Sequence, residues 1–224
     1  MSHPAPSLVV HRHPERQSYD RAVLDRLLAE SSVAHVAFVR DGMPVVLPFV
    51  CAVGDLHDGA GPQLLLHGST GGGIFLDAGD EGLPVCVAVT ALDGFVFARA
   101  LNGTSANFRS AVVFGRATVV PSGLRQEALW AVADHLMPGR RAEVREMSDK
   151  ELAQTQVLRV PLDQVSVKVR SGGPGESADD AEDHSVWAGV VPLALHAGDP
   201  ITSPLTEPGV PPSPSVQRLV DRLA

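Results

Sequence analysis

The chain has 224 residues, 44% of them hydrophobic, with a mean hydropathy of +0.09 and a formal net charge of −8. No apolar run approaches the roughly 20 residues needed to cross a bilayer. The acidic balance argues against nucleic acid or an anionic membrane as a partner, because such binding needs clustered Lys and Arg. The first residues contain no basic region followed by an apolar one, so we expect a cytoplasmic protein.

The N-terminal half is predicted to form one helix followed by strands. Residues 19–31 have a helical apolar face, and Asp20 or Ser18 is placed to cap the helix. The strands are short, rich in Val and Phe, and separated by turn signals. They are predicted at 33–39, 45–53, 63–67, 84–92, 95–101 and 111–120. Asp93-Gly94 is expected to form a tight hairpin between two of them. Six strands without intervening helices predict a mainly β fold with flanking helices, an antiparallel barrel.

The C-terminal half alternates between helices and strands before it becomes proline-rich. A second helix is predicted from residue 122 or 123 to 137, and a third opens at Ser148, where Ser148 and Glu151 have capping-box spacing. Strands are expected at 155–160 and 164–170. We predict one domain over 1–198, which contains a mobile acidic linker at 171–184, and a Pro-rich tail over 199–224 that ends in a short amphipathic piece.

Neither the cysteines nor most of the histidines predict a metal or nucleophilic site. Cys51 and Cys86 lie in separate apolar strands and are expected to be reduced thiols. His35 alternates with apolar strand residues, and the histidines have no metal-ligand spacing. The sequence contains no nucleophile elbow and no paired Cys–His motif. We therefore predict no metal site and assign no catalytic residue.

A strand that ends in a hydroxyl- and glycine-rich turn is the most informative motif. Leu64-Leu65-Leu66-His67 is followed by Gly68-Ser69-Thr70 and then by three glycines, 71–73. Side-chain hydroxyls and unobstructed backbone N–H groups in one concavity suit an anion such as a phosphate. A flexible surface turn is the alternative interpretation.

The order of several motifs resembles the pyridoxamine 5′-phosphate oxidase-like family of FMN-binding split barrels. The motifs are residues 36–48 (VAFVRDGMPVVLP), 64–70 (LLLHGST), 84–90 (PVCVAVT), 107–117 (NFRSAVVFGRA), 167–170 (VKVR) and 187–193 (WAGVVPL). Within that family the chain is most similar to the branch of nitroimidazole-resistance proteins and flavin-nucleotide-binding proteins. The resemblance extends over roughly residues 12–198.

The resemblance implies a six-stranded antiparallel split barrel that forms a homodimer, with FMN in grooves between the subunits. It also implies which residues contact the flavin: Val46, Leu47, Pro48, His67, Gly68, Ser69, Thr70, Asn107, Arg109, Ser110 and Trp187. The first three would lie along the isoalloxazine ring, and the His67–Thr70 segment would hold the ribityl and phosphate groups.

The chain departs from the family pattern at the glycine turn. Relatives usually continue the turn with Ser-Arg, and that Arg makes a charge-assisted contact to phosphate. Gly72 and Gly73 stand at those positions here, and the loss of such a contact typically costs about 2–3 kcal/mol. Arg109 or Arg99 could supply the missing charge. A deazaflavin is an alternative cofactor.

Three functional hypotheses remain open from the sequence. The first is an FMN-dependent oxidoreductase, similar to nitroreductases, that acts on a small organic substrate by hydride or electron transfer through the flavin. The second is a non-catalytic small-molecule-binding or sensor dimer, which the three glycines favour. The third is a haem-binding split barrel with His67 as axial ligand, although His67 could also be a simple hydrogen-bonded groove residue.

Overall fold

The computed structural model describes residues 7–79, 81–175 and 183–224. Its helices are α1 (Arg21–Glu30), α2 (Gly73–Asp77), α3 (Arg125–Leu136), α4 (Asp149–Gln154) and α5 (Pro214–Arg222). Its strands are β1 (Gln17–Ser18), β2 (Val33–Arg40), β3 (Met43–Gly54), β4 (Gln63–Ser69), β5 (Leu83–Phe97), β6 (Ser105–Val119), β7 (Thr155–Pro161), β8 (Val165–Arg170) and β9 (Gly189–Pro192). None of the helices in these ranges has the length and apolar character to cross a membrane.

Six antiparallel strands close into a ring. The sheet order is β1-β8-β6-β7-β4-β3-β2-β5-β9, and an additional β5–β6 pairing joins the two ends of the six-stranded part. Strands β1, β8 and β9 extend the sheet outside that ring. The predicted six-stranded split barrel, mainly β with flanking helices, is therefore confirmed, although the sixth strand of the ring is β7 and not the segment predicted at 95–101.

Strand β4 is buried on both of its faces, which explains its unbroken apolar run. Leu64 and Leu66 point into the barrel core, whereas Leu65 packs in a second apolar cluster beneath α3. Successive side chains of a strand alternate between its two faces, so His67 follows Leu65 toward α3. Strand β4 thus separates the barrel interior from a smaller core under a helix.

The hairpin predicted at Asp93-Gly94 is wrong, because β5 runs through this position as one strand from Leu83 to Phe97. The register with β6 shifts between Leu92 and Gly94, which leaves Asp93 as an extra residue in a bulge. The Asp93 carboxylate accepts two hydrogen bonds from Arg109 on β6, and β9 pairs alongside Gly94. A Cβ on Gly94 would lie 2.9 Å from the Val191 carbonyl oxygen. Glycine is therefore needed for the close approach of β9.

The predicted helices agree with the structure. Asp20 caps α1 by accepting a hydrogen bond from the backbone N–H of Ala22, and the capping box of Ser148 and Glu151 opens α4. The short helix α2 and strand β1 were not predicted. Of the linker predicted at 171–184, residues 176–182 lie outside the described residues, and the division into 1–198 and 199–224 stays a prediction.

The C-terminal helix α5 is held beside the end of α3 by the Glu143 carboxylate and by Arg222. Glu143 accepts hydrogen bonds from the Ser213 hydroxyl and from the backbone N–H of Ser215, at 2.6 and 2.8 Å. Arg222 donates to the carbonyl oxygens of His135 and Leu136. The hydrogen bonds from Ser213 and then Ser215 lower the pKa of Glu143 to about 2.

We expect the docking of α5 to weaken in acid. Because the folded-state pKa of Glu143 lies below its ordinary value of 4.5, its contribution is complete above that pH and disappears as the pH falls toward 2. Glu143→Gln should lower the unfolding temperature at pH 7, and the difference from the unsubstituted protein should shrink by pH 3. Glu146→Gln is the control, since Glu146 is exposed. A pH-independent difference would contradict this assignment.

Candidate functional site

The glycine turn connects the end of β4 to α2. The backbone N–H and hydroxyl of Thr70 both donate to the Gln154 carbonyl oxygen, at 3.1 and 3.3 Å, and so tie the turn to the end of α4. The N–H of Gly72 donates to the Ser69 carbonyl oxygen at 2.8 Å. The turn is therefore held by its own backbone bond and by Gln154, and, as at any helix start, the first N–H groups of α2 have no partner within the helix.

Gly68 allows α2 to pack closely on β4. A Cβ at this position would lie 2.7 Å from Cε2 of Phe75, whose ring also contacts Phe49 edge to face at 6.0 Å between centroids. A side chain at position 68 would push Phe75 away and displace α2. The glycine therefore positions the turn that follows it.

An apolar cavity of about 260 Å³ lies between the end of β4 and α3, open to solvent on one side. His67 forms part of its floor. The other lining residues come from α3 and the segments beyond it: Gln126, Leu129, Trp130, Val132, Ala133, Leu136, Met137, Met147 and Thr155. Helix α3 forms this wall because its buried face packs on β3 and β4.

The His67 ring carries an unsatisfied nitrogen beside this cavity. Its Nδ1 atom is buried and makes no hydrogen bond to any described residue. A buried polar atom without a partner costs about 1–3 kcal/mol, so this arrangement points to a ligand that binds the imidazole. Nε of Arg125 and Oε1 of Gln156 are also buried without partners. In the sequence Arg125 precedes Gln126 and Gln156 follows Thr155, and both Gln126 and Thr155 line the cavity.

Three residues that were predicted to contact flavin are engaged within the chain. The Asn107 amide donates to the Gly172 carbonyl oxygen and accepts from Arg170, and the Ser110 hydroxyl donates to the Lys168 carbonyl oxygen. Arg109 forms a bidentate ion pair with Asp93 and a 2.6 Å contact with Glu30. These bonds, that of Asp93 first, raise the pKa of Arg109. Arg109 is therefore already neutralised by two carboxylates, and its place in a flavin groove stays a prediction.

The remaining predicted residues fall into two places. His67, Gly68, Ser69 and Thr70 directly follow the last β3–β4 pair, Cys51↔Leu66, and Pro48 precedes Cys51 by three residues on β3. Val46 is exposed on β3 and Leu47 is half-buried. Trp187 is 63% exposed and lies against Phe97, with ring centroids 5.8 Å apart. Arg99 donates to the carbonyl oxygen of Val186, next to Trp187.

The sequence alone did not indicate two features of this region. The first is the cavity wall on α3, whose apolar residues follow an ordinary core pattern. The second is Arg40, the last residue of β2, whose guanidinium lies over Gly73. The sequence showed only that Arg40 directly precedes the Asp41-Gly42 turn. Among the described residues, no three His, Cys, Asp or Glu side chains come together as a metal site would require.

Comparison with known proteins agrees with this architecture. The profile of the pyridoxamine 5′-phosphate oxidase family matches residues 20–169. The structure of an FAD and heme binding protein from Mycobacterium smegmatis is 41% identical, with a TM-score of 0.83, over 92% of this chain and 97% of that chain. The flavocytochrome Anf3 from Azotobacter vinelandii is 30% identical, with a TM-score of 0.82, over 93% and 94%. A search of curated proteins finds no significant match.

Proposed function

The chain belongs to the pyridoxamine 5′-phosphate oxidase family of flavin-binding split barrels, and on that premise we propose that it is a redox protein that binds both a flavin nucleotide and a haem. The two full-length relatives described above are an FAD and heme binding protein and a flavocytochrome. A bound haem supplies one-electron chemistry, and a flavin exchanges either one or two electrons. Electron transfer between the two groups is the function that this site supports best.

The haem proposal rests on the buried, unpartnered Nδ1 of His67 beside an apolar cavity. A haem presents a flat apolar macrocycle, an iron that binds imidazole, and two carboxylates. Leu129, Trp130 and Leu136 would contact the macrocycle, and His67 would coordinate the iron. Arg125, whose Nε has no partner, is the one arginine or lysine of α3 and would be the cation for a carboxylate. The part of the haem that does not fit within the cavity would extend through its open side.

The flavin proposal rests on the glycine turn together with the exposed face of β3. Ser69 and the first N–H groups of α2 suit a phosphate, and the residues 46–48 would lie along the ring system. The relative that is 41% identical is an FAD and heme binding protein. We therefore expect FAD to be the flavin that this chain binds. Reduction or oxidation of a small organic substrate by that flavin is part of the proposal.

We further propose that two copies assemble through the outer face of β3, β2 and β5. Val39 is 64% exposed and Val46 is 59% exposed on this face, and the β2–β3 and β2–β5 registers place Ala37, Pro48 and Cys86 beside them. An apolar face of this kind on a barrel favours self-association. A groove between two copies would then complete the flavin site, as the family resemblance implies.

Visible absorbance spectroscopy tests the two cofactors separately. Purified protein, as isolated or after titration with hemin and with FAD, should show a Soret band and flavin bands, each saturating at one cofactor per chain. Addition of a reductant that reduces the flavin should also shift the Soret band. A flavin spectrum without any Soret band would restrict the proposal to a flavoprotein. The absence of both spectra would refute it and leave the sensor hypothesis.

A further inference from the structure

The guanidinium of Arg40 occupies the place that a side chain at position 73 would take. A Cβ built on Gly73 would lie 2.4 Å from Nη2 of Arg40 and 2.8 Å from both Cζ and Nη1. These separations are far shorter than van der Waals contact, so no residue larger than glycine fits at position 73 while Arg40 lies there. The glycine that interrupts the family pattern is thus matched by an arginine from the neighbouring hairpin.

Two residues hold this arginine in place. Its Nε donates to Oδ2 of Asp77 at 2.7 Å, and its Cζ lies 5.3 Å from the centroid of the Phe38 ring. Asp77 closes α2, so the ion pair connects the end of β2 to the helix that follows the glycine turn. Asp77 therefore fixes the plane of the guanidinium relative to the turn.

Part of the hydrogen-bonding capacity of Arg40 remains unused. Nη2 lies 2.6 Å from the same Oδ2 atom, but it makes no aligned hydrogen bond to any described residue. An arginine has five N–H donors in a rigid fork, which matches two oxygens of a carboxylate or phosphate. Nε and Nη2 both lie against Asp77, and Nη2 is buried, so Nη1 is the nitrogen that can bind one further anion. On the same turn the Gly71 and Gly72 N–H groups already donate to Ser69, so the donors left for a ligand are the Ser69 hydroxyl and the Gly73 N–H.

We propose that Arg40 is the cation that binds the phosphate groups of the flavin nucleotide, in the place of the side chain that Gly73 lacks. Asp77 is a positioning residue, which holds Nε and Nη2 while Nη1 faces the phosphate. This inference rests on the proposed flavin binding and adds to it the residue that selects phosphorylated flavins over riboflavin. It also explains how a turn of three glycines can retain a charged ligand.

The first test compares the affinities of FAD, FMN and riboflavin. Arg40→Ala should weaken FAD and FMN binding by about 10- to 100-fold, the range expected for loss of a charge-assisted hydrogen bond. Riboflavin affinity should stay unchanged, because riboflavin carries no phosphate. Arg21→Ala is the matched control, since Arg21 forms a comparable ion pair with Asp25 on α1. Fluorescence quenching of each flavin measures all of these affinities.

The second test moves the arginine from position 40 to position 73. Gly73→Arg alone should weaken FAD binding, because its Cβ collides with the Arg40 guanidinium. Combined with Arg40→Ala, the same substitution should recover much of the lost FAD affinity, so that the two changes are strongly non-additive. Such recovery cannot come from a general structural role of Arg40, and it keeps the test informative if Arg40→Ala proves unstable.

The outcomes separate this inference from the proposed function. If the unsubstituted protein binds riboflavin and FAD with equal affinity, or Arg40→Ala weakens both flavins equally, the assignment of Arg40 to phosphate is overturned while flavin binding stands. If the unsubstituted protein binds none of the three flavins, flavin binding and this inference both fail.

Discussion

Replacement of His67 by alanine is expected to abolish haem binding and to leave flavin binding intact. Changes to residues that merely support a metal ligand typically lower affinity by 10- to 100-fold, so removal of the ligand itself should cost more than about 100-fold. The flavin site should be unaffected, because the groups proposed to hold the flavin are Ser69, the start of α2 and residues 46–48, and His67 is assigned to the haem instead. Hemin titration, followed at the Soret band, measures the first effect, and FAD titration measures the second.

Two further measurements separate ligation from a structural role of His67. Free imidazole should restore a Soret band to the alanine variant, because the vacated space opens into the cavity. The unfolding temperature of the haem-free protein should not fall, because the buried Nδ1 has no hydrogen bond to lose. His11→Ala is the control, since His11 is exposed near the N-terminus. Full retention of hemin affinity by His67→Ala would contradict the assignment.

The fold was predictable from the sequence because most of its signals are local. Asp20 and the capping box at Ser148 set helix starts by contacts within three residues, and alternation of apolar side chains identified most of the strands. The exception, Asp93-Gly94, shows the limit of a local signal. A DG pair favours a hairpin, but here Arg109 from the next strand binds the aspartate and β9 pairs beside the glycine. Tertiary contacts thus turned a hairpin signal into a bulge.

Only part of the candidate site was predictable, because several of its contacts join residues that are distant in the sequence. The sequence placed His67 and the glycine turn together because they are contiguous. It could not show that α3 covers His67, since Trp130 and Leu136 follow the pattern of any buried helix face. Nor could it pair Arg40 with Gly73, which lie on different elements and meet only because β2 ends beside α2. The candidate charges suggested by sequence were Arg109 and Arg99, and Arg109 forms ion pairs with Asp93 and Glu30 instead.

A charge on the outer face of β2 is expected to remove flavin binding without affecting haem. In the proposed dimer Val39→Asp would place two carboxylates in one apolar interface, and an unpaired buried charge costs at least several kcal/mol. The dimer should therefore dissociate, with the dissociation constant raised by at least about 100-fold. Light scattering coupled to gel filtration measures the mass, and the two cofactor titrations follow on the same sample.

The two cofactors should respond differently because their sites differ in how many chains build them. In the proposed arrangement the haem site uses only the residues that line the His67 cavity of its own chain, so the monomer should keep its Soret band. In the proposed dimer the flavin groove is completed by both copies, so FAD affinity should fall together with the dimer. Val9→Asp is the matched control, since Val9 is 57% exposed, close to the 64% of Val39, and lies outside this face. A monomer that still binds FAD tightly would place the whole flavin site within one chain, whereas a dimer that survives Val39→Asp would move the interface elsewhere.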